Sequence, residues 1–206
     1  MARGAKVAFS GVLRSVQPRI RLTRSFDQRY HGYFGYVLGI EGSIGAASSQ
    51  AFSVAVGKAA HAKFQFRVGD RLKGMCEEVA DAQTETAGYY KASGLQVVER
   101  AADPPSSAPP FHELAPTLEE YRAKGHRRLD PEAFAVRCSS CAWGCRMPVE
   151  MIVDQWDPSN KRHRFETFCY GPDDCALYRA GPKRVVPGRK GMRHTEEVED
   201  RDTRHG

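Results

Sequence analysis

Five cysteines lie close together in the second half of the chain, and their spacing indicates a metal site. Cys138, Cys141 and Cys145 belong to the stretch CSSCAWGC, and Cys169 and Cys175 bracket the stretch CYGPDDC. Structural zinc takes four thiolate or imidazole ligands arranged as a tetrahedron. A Cys-x-x-Cys turn supplies two of them, and a second pair across a hairpin supplies the rest. We therefore predict zinc ligated by Cys138, Cys141, Cys169 and Cys175, with Cys145 as an alternative ligand.

The arrangement resembles a zinc ribbon, which implies a structural metal. The second pair departs from that pattern, because five residues separate Cys169 from Cys175, against about two to four in most zinc sites. Cys145 is the other departure, because Cys-x2-Cys-x3-Cys with a remote cysteine also suits an iron–sulfur cluster. Free or redox-active thiols are the third interpretation. Cys76, outside the cluster, is interpreted as a small buried hydrophobe.

Two alternating segments and two helix starts would position these cysteines. Residues 147–156 and 162–170 alternate between apolar and polar side chains around a turn at residues 157–160, which predicts a β-hairpin. Thr117 and Glu120 match a capping box, so residues 117–124 are predicted to be helical. Asp130 followed by Pro131 marks a second helix start. Residues 117–180 are thus predicted to form a small module that a bound metal holds together, with one or two short helices.

The first half of the chain is predicted to be all β. Alternation and turn signals mark strands at residues 7–16, 19–23, 30–40, 52–56, 64–68, 71–79 and 89–99, with 42–50 as a loop and no helix. Pro18 is expected to end the first strand. The long opening strand, the stretch FRVGDRLKG at 66–74 and the final strand from Tyr89 resemble an OB-fold, a five-stranded Greek-key barrel. The predicted fold class is mainly β, with this barrel at residues 1–100. A small barrel of another topology, such as the SH3-like type, would give much the same pattern.

Composition sets the remaining boundaries. Residues 101–116 are predicted to be a proline-rich linker, because four prolines fall within residues 101–110. Residues 181–206 carry a basic and then an acidic block, which predicts a largely disordered tail. The chain has no apolar run long enough for a membrane helix and no signal-peptide pattern, so a cytoplasmic protein without a membrane partner is expected.

Charge points to an anionic partner. The formal net charge is +6, and the excess lies before residue 37, where seven Lys/Arg face only Asp27. A basic patch attracts polyanions such as nucleic acid. The OB-fold resemblance implies single-stranded nucleic acid, bound by stacking aromatics and a basic groove. The predicted binding residues are Arg19, Arg21, His31, Tyr33, Lys63, Arg67, Lys73 and Lys91.

Strand parity selects the aromatic members of that set. Tyr30, Phe34 and Tyr36 share the more apolar parity of their strand, so His31 and Tyr33 are expected on the opposite, outer side.

No phosphate-binding loop, dinucleotide-binding glycine motif or nucleophile elbow occurs, which favours a non-enzymatic protein. The first hypothesis is a binder of single-stranded RNA or DNA with structural zinc. The alternatives are a protein-interaction adaptor that docks a partner through the tail, and an iron–sulfur protein with a redox or sensing role.

Overall fold

The computed structural model describes residues 5–25, 28–102, 108–154 and 156–195. It is mainly β. The strands are β1 (Lys6–Arg24), β2 (Arg29–Ile44), β3 (Ala47–Val56), β4 (Arg71–Glu78), β5 (Tyr89–Glu99), β6 (Arg127–Arg128), β7 (Gly144–Ile152), β8 (Lys161–Cys169), β9 (Val185–Pro187) and β10 (Arg193–Thr195). The helices are α1 (Lys58–Phe64), α2 (Leu118–Lys124) and α3 (Pro131–Ala133), with a π-helical turn at Phe134–Cys138 and a 3-10 turn at Arg189–Gly191.

The first five strands pair into a ring. Going around it, the order is β1, β2, β3, β5, β4 and back to β1. All pairs are antiparallel except β3 with β5, which run parallel at Val54 and Tyr89. Apolar side chains inside the ring, including Leu13, Leu38 and Leu72, are almost completely buried.

Strand β1 joins the ring to the cysteine-rich segment. Its first residues, up to Val12, pair with β4, and its last three, Leu22–Arg24, pair in parallel with β7. Strands β8 and β6 continue the sheet beyond β7. The largest hydrophobic cluster therefore contains residues of both segments, such as Ile20 and Met147. The division of the chain into two domains stays a prediction.

The prediction that Pro18 ends the first strand is wrong, because β1 runs through it. Proline removes a backbone donor, which matters only on an edge that carries a ladder. Pro18 pairs with Tyr36 of β2 on one edge, while the other edge carries β4 only to Val12 and β7 only from Leu22. The proline therefore lies where β1 has no second partner strand among the described residues.

Three further local predictions differ from the structure. Residues 42–50 are not a loop, because β2 and β3 extend to a tight turn at Gly45. Residues 64–68 are not a strand, because the alanine-rich stretch 58–64 forms α1 and Gln65 ends it in a left-handed conformation. Within the predicted disordered tail, β9 and β10 pair as a hairpin. Residues 196–206 lie outside the described part of the chain.

Candidate metal centre and nucleic-acid interface

The first pair of cysteines lies on a turn that follows α3. Asp130 caps that helix by accepting a hydrogen bond from the backbone N–H of Ala133, as its sequence predicts. The π-helical turn then ends at Cys138, and the N–H of Cys141 donates to the Cys138 carbonyl at 3.1 Å. The N–H of Gly144 donates to the Cys141 carbonyl at 3.0 Å, and β7 starts there. Both thiols are buried.

The predicted hairpin places the second group beside the first. Strands β7 and β8 are antiparallel, and Gly144 pairs directly with Cys169. The N–H of Gly171 donates to the Cys169 sulfur at 3.4 Å. Burial first, and then the neighbouring thiols Cys141, Cys169 and Cys175, raises the pKa of Cys138 to about 11. Cys138 is therefore near enough to the other three predicted ligands for their charges to affect its pKa.

The fifth thiol occupies a different environment. Cys145 is completely buried in the larger hydrophobic cluster and donates to the Pro18 carbonyl at 3.4 Å, while Cys138, Cys141 and Cys169 belong to a smaller cluster with Phe134. Burial alone raises the pKa of Cys145. Cys145 thus lies apart from the cluster that contains three of the four predicted ligands, and the choice of ligands stays a prediction.

Backbone N–H groups lie near two of the predicted ligands, Cys141 and Cys169. Burial raises the pKa of Cys141, and backbone N–H groups of Trp143, Phe111 and Gly144 oppose that rise by stabilising the thiolate. The Gly171 N–H acts similarly on Cys169. Within the described ranges, no group of three or more His, Cys, Asp or Glu side chains is arranged so that it could hold a metal ion. Occupancy by zinc or an iron–sulfur cluster stays a prediction.

Arg127 holds the loop between Cys169 and Cys175, and the sequence analysis missed it. Its guanidinium donates to the carbonyl oxygens of Gly171, Pro172 and Asp173, at 3.3, 2.6 and 3.1 Å. It also stacks on Tyr178, with 4.0 Å between the guanidinium carbon and the ring centroid. The sequence offered one sign of this role, a basic residue that lies opposite Cys169. Recognising it required knowing that the two-residue strand β6 pairs with β8.

The aromatic members of the predicted nucleic-acid site are displaced by a β-bulge. Arg19 pairs with Gly35 and Ile20 pairs with Tyr33, so Phe34 is an extra residue in β2. Gly35 absorbs the irregularity with φ of +133°. The parity of β2 inverts there, and the expectation that His31 and Tyr33 face outward is wrong for His31, which is buried. Tyr33 is half-buried against the larger cluster.

Phe34, expected in the core, faces outward instead. Its side chain is 48% exposed and its ring lies over Gly32, where any Cβ would come within 2.7 Å of it. The guanidinium carbons of Arg19 and Arg21 lie 5.7 and 5.6 Å from the ring centroid. Two of the predicted cationic residues thus meet on one half-exposed ring. The flanking glycines Gly32 and Gly35 were the signal available in the sequence.

The same sheet face continues onto the cysteine-rich segment. Tyr30, which is exposed, pairs with Thr23 of β1, and Thr23 pairs with Glu150 of β7. Further along this face, the Arg146 guanidinium stacks on Phe165 of β8, with 3.7 Å between the guanidinium carbon and the ring centroid. We call Arg19, Arg21, Tyr30 and Phe34, with the adjoining Arg146 and Phe165, the aromatic–arginine face.

The other predicted binding residues have separate contacts. Lys63 stacks on Phe64 at the end of α1, and the backbone N–H of Arg67 donates to Asp70. Lys73 lines a groove on the outside of β1, β2 and β4, together with Ser10 and Arg14. Lys91 forms an ion pair with Glu77 at 2.7 Å, and that hydrogen bond raises the Lys91 pKa. Only Arg19 and Arg21 of the predicted set meet on Phe34.

Comparison with protein-family models, with curated proteins and with solved structures finds no match to this chain. None of the helices in the described residues is long and apolar enough to cross a lipid bilayer.

Proposed function

We propose that this chain is a non-enzymatic protein that binds single-stranded nucleic acid on an OB-like barrel and carries a structural zinc site. The ring order supports the barrel, since an OB-fold closes its strands in the order 1-2-3-5-4-1. The parallel contact of β3 with β5 and the position of α1 between β3 and β4 also suit that topology. OB-folds bind oligonucleotides across strands 2 and 3 and the adjoining loops.

The half-exposed Phe34 ring between Arg19 and Arg21 is the observation that carries the proposal. An exposed aromatic ring offers a stacking surface to any base, worth roughly 1–3 kcal/mol per base. The guanidinium groups beside it can contact the phosphates on either side of the stacked base. Both features are sequence-tolerant, so binding without strong base preference is expected.

Cys138, Cys141, Cys169 and Cys175 are proposed to hold the metal. Bound zinc would supply folding free energy to a segment with a small core and would take no part in a reaction. An iron–sulfur cluster on the same cysteines is the alternative. Absorbance near 400 nm in anaerobically purified protein would indicate the cluster, and colourless protein with about one equivalent of zinc would exclude it.

Fluorescence anisotropy with labelled single-stranded RNA and DNA tests the binding function. Phe34→Leu keeps an apolar side chain but removes the stacking ring, and we expect affinity to fall about tenfold. Trp156→Leu is the matched control, since Trp156 is also exposed but lies in the β7–β8 loop. Equal affinities of wild type and Phe34→Leu, or no binding by wild type at low salt, would refute the proposal.

Arg21→Gln tests the phosphate contact separately. Each phosphate contact to a single strand contributes about −0.7 to the slope of log affinity against log salt. We expect this variant to bind more weakly at low salt, with a slope that is shallower by about that amount.

A further inference from the structure

The segment between β4 and β5 lies across the outside of the ring beside the aromatic–arginine face. Residues 81–88 form neither helix nor strand. Ala87 is buried against Val37 of β2 and Ala55 of β3. The N–H of Gly88 donates to the Ser53 hydroxyl at 2.9 Å, and the Thr86 hydroxyl donates to the Arg146 carbonyl at 2.8 Å. The segment therefore reaches from β3 to β7.

Its acidic side chain engages one of the two arginines on Phe34. The Arg19 Nε lies 3.1 and 3.0 Å from the two carboxylate oxygens of Glu85, and Arg19 Nη2 also donates to Glu85. This pair is largely buried, with side chains 24% and 9% exposed. Arg21 donates through Nη2 to the Thr84 carbonyl at 2.8 Å. Both guanidinium groups thus have partners in the same segment.

We propose that residues 81–88 are an acidic strap that competes with the phosphates of single-stranded nucleic acid for Arg19 and Arg21. The proposal rests on the binding function proposed above. A guanidinium offers the same fork of donors to a carboxylate and to a phosphate, so Glu85 occupies the position that a phosphate oxygen pair would take. Binding then requires the strap to exchange its carboxylate for the ligand.

The strap is suited to such an exchange. Besides the two arginines, the contacts that hold it to the rest of the described chain are the packing of the small Ala87 side chain and three hydrogen bonds, one from the Thr86 hydroxyl, one from the Gly88 N–H and one from the Val79 N–H to the Gly88 carbonyl. When only part of the population is competent to bind, the apparent affinity falls by the competent fraction. The strap would therefore weaken the binding of all anionic ligands but favour those with enough phosphates to displace it.

Glu85→Gln tests the strap with the full chain. Glutamine keeps an oxygen that can accept the Thr86 N–H bonded to Glu85 at 2.9 Å, and it removes the competing charge. We expect about tenfold tighter binding of labelled oligonucleotide at low salt, because a charged competitor is lost. We also expect a salt slope steeper by about 0.7, because Arg19 gains one phosphate contact. Glu99→Gln, which removes an equal charge from the exposed Arg71 ion pair, is the control and should change neither quantity.

Thr86→Ala is the second variant and covers the case in which Glu85→Gln does not fold. It removes the hydrogen bond to the Arg146 carbonyl, and we expect about two- to threefold tighter binding. If Phe34→Leu weakens binding while Glu85→Gln and Thr86→Ala leave it unchanged or weaker, the strap is refuted and the binding function stands. If wild type does not bind at low salt, the binding function fails and the strap proposal fails with it.

Discussion

The two hydrophobic clusters of the molecule differ in what fills them. The larger cluster packs aliphatic and aromatic side chains inside the ring and onto β7 and β8, and Leu13, Leu22 and Leu38 are fully buried there. Among the described residues the smaller one has six buried members, of which Cys138, Cys141 and Cys169 are three. Burial of apolar surface can stabilise the first. The second buries less apolar surface, and we expect a metal bound by its thiols to supply much of its stability.

Strand β1 is where the two clusters meet. The Gln17 amide nitrogen donates to the carbonyl oxygens of both Cys138 and Cys141, at 3.0 Å each, and Pro18 accepts from Cys145. Gln17 lies on the same side of β1 as Arg19 and Arg21. The cysteine turn is thus fixed to the strand that also carries the aromatic–arginine face.

The largest expected effect separates the two kinds of cysteine. Cys169→Ala should abolish metal binding and remove a contribution on the order of 10 kcal/mol from the smaller cluster. Cys145→Ala, the matched control, should keep the metal and lose only about 1–2 kcal/mol of packing. Metal analysis and thermal unfolding measure both. Full metal content in Cys169→Ala, or its loss in Cys145→Ala, would contradict the ligand set.

Truncation of a core side chain tests the larger hydrophobic cluster. Leu38→Ala should cost about 2–5 kcal/mol of unfolding free energy, because Leu38 is fully buried in the ring. Metal content should not change. Leu114→Ala, at a residue that is 42% exposed, is the control and should have little effect on denaturant unfolding. Loss of metal together with the ring's stability would mean that the clusters unfold as one unit.

Gln17→Leu tests the junction between the clusters. The substitution removes the Gln17 donor from the Cys138 and Cys141 carbonyl groups, each of which keeps one backbone N–H donor. Loss of an outer partner of a metal site typically lowers metal affinity by about 10–100-fold. Competition with a chromogenic chelator measures that affinity, and Gln96→Leu on exposed β5 is the control. Unchanged affinity would show that the turn is positioned without β1.

Local signals in the sequence predict the cysteine region better than the ring's surface. The β7–β8 hairpin and the Thr117–Glu120 capping box follow from residues close together in the chain, and the structure has both. The orientation of Phe34 depends on one extra residue against β1, a property of strand pairing that no single strand reveals. The alanine-rich helix α1 lies between strands, where the β pattern concealed it.

The smallest expected effect is a pH dependence of stability, and it concerns two buried histidines. His61 packs on Tyr36 beside the ring, and its Nε2 lies 3.3 Å from the Ala115 carbonyl oxygen. His126 lies between His31 and Phe168, and neither of its ring nitrogens has a hydrogen-bond partner among the described residues. Burial lowers the pKa of both, and the nearby charges of His31, Arg29 and Arg128 lower that of His126 further.

The sign of the His126 effect follows from that lowered pKa. Below the ordinary histidine pKa of 6.5, the unfolded chain takes up a proton that the folded chain resists. Stability is therefore fully present above about pH 6.5 and declines as the pH falls toward the folded pKa, by about 1.4 kcal/mol per unit. His126→Phe keeps the ring packing without the titration, so it should lose less stability than wild type between pH 7.5 and 5.5. His61 is present in both proteins, so the difference in denaturant unfolding reports the loss of His126, and parallel losses would show that the histidine is protonated in the folded state.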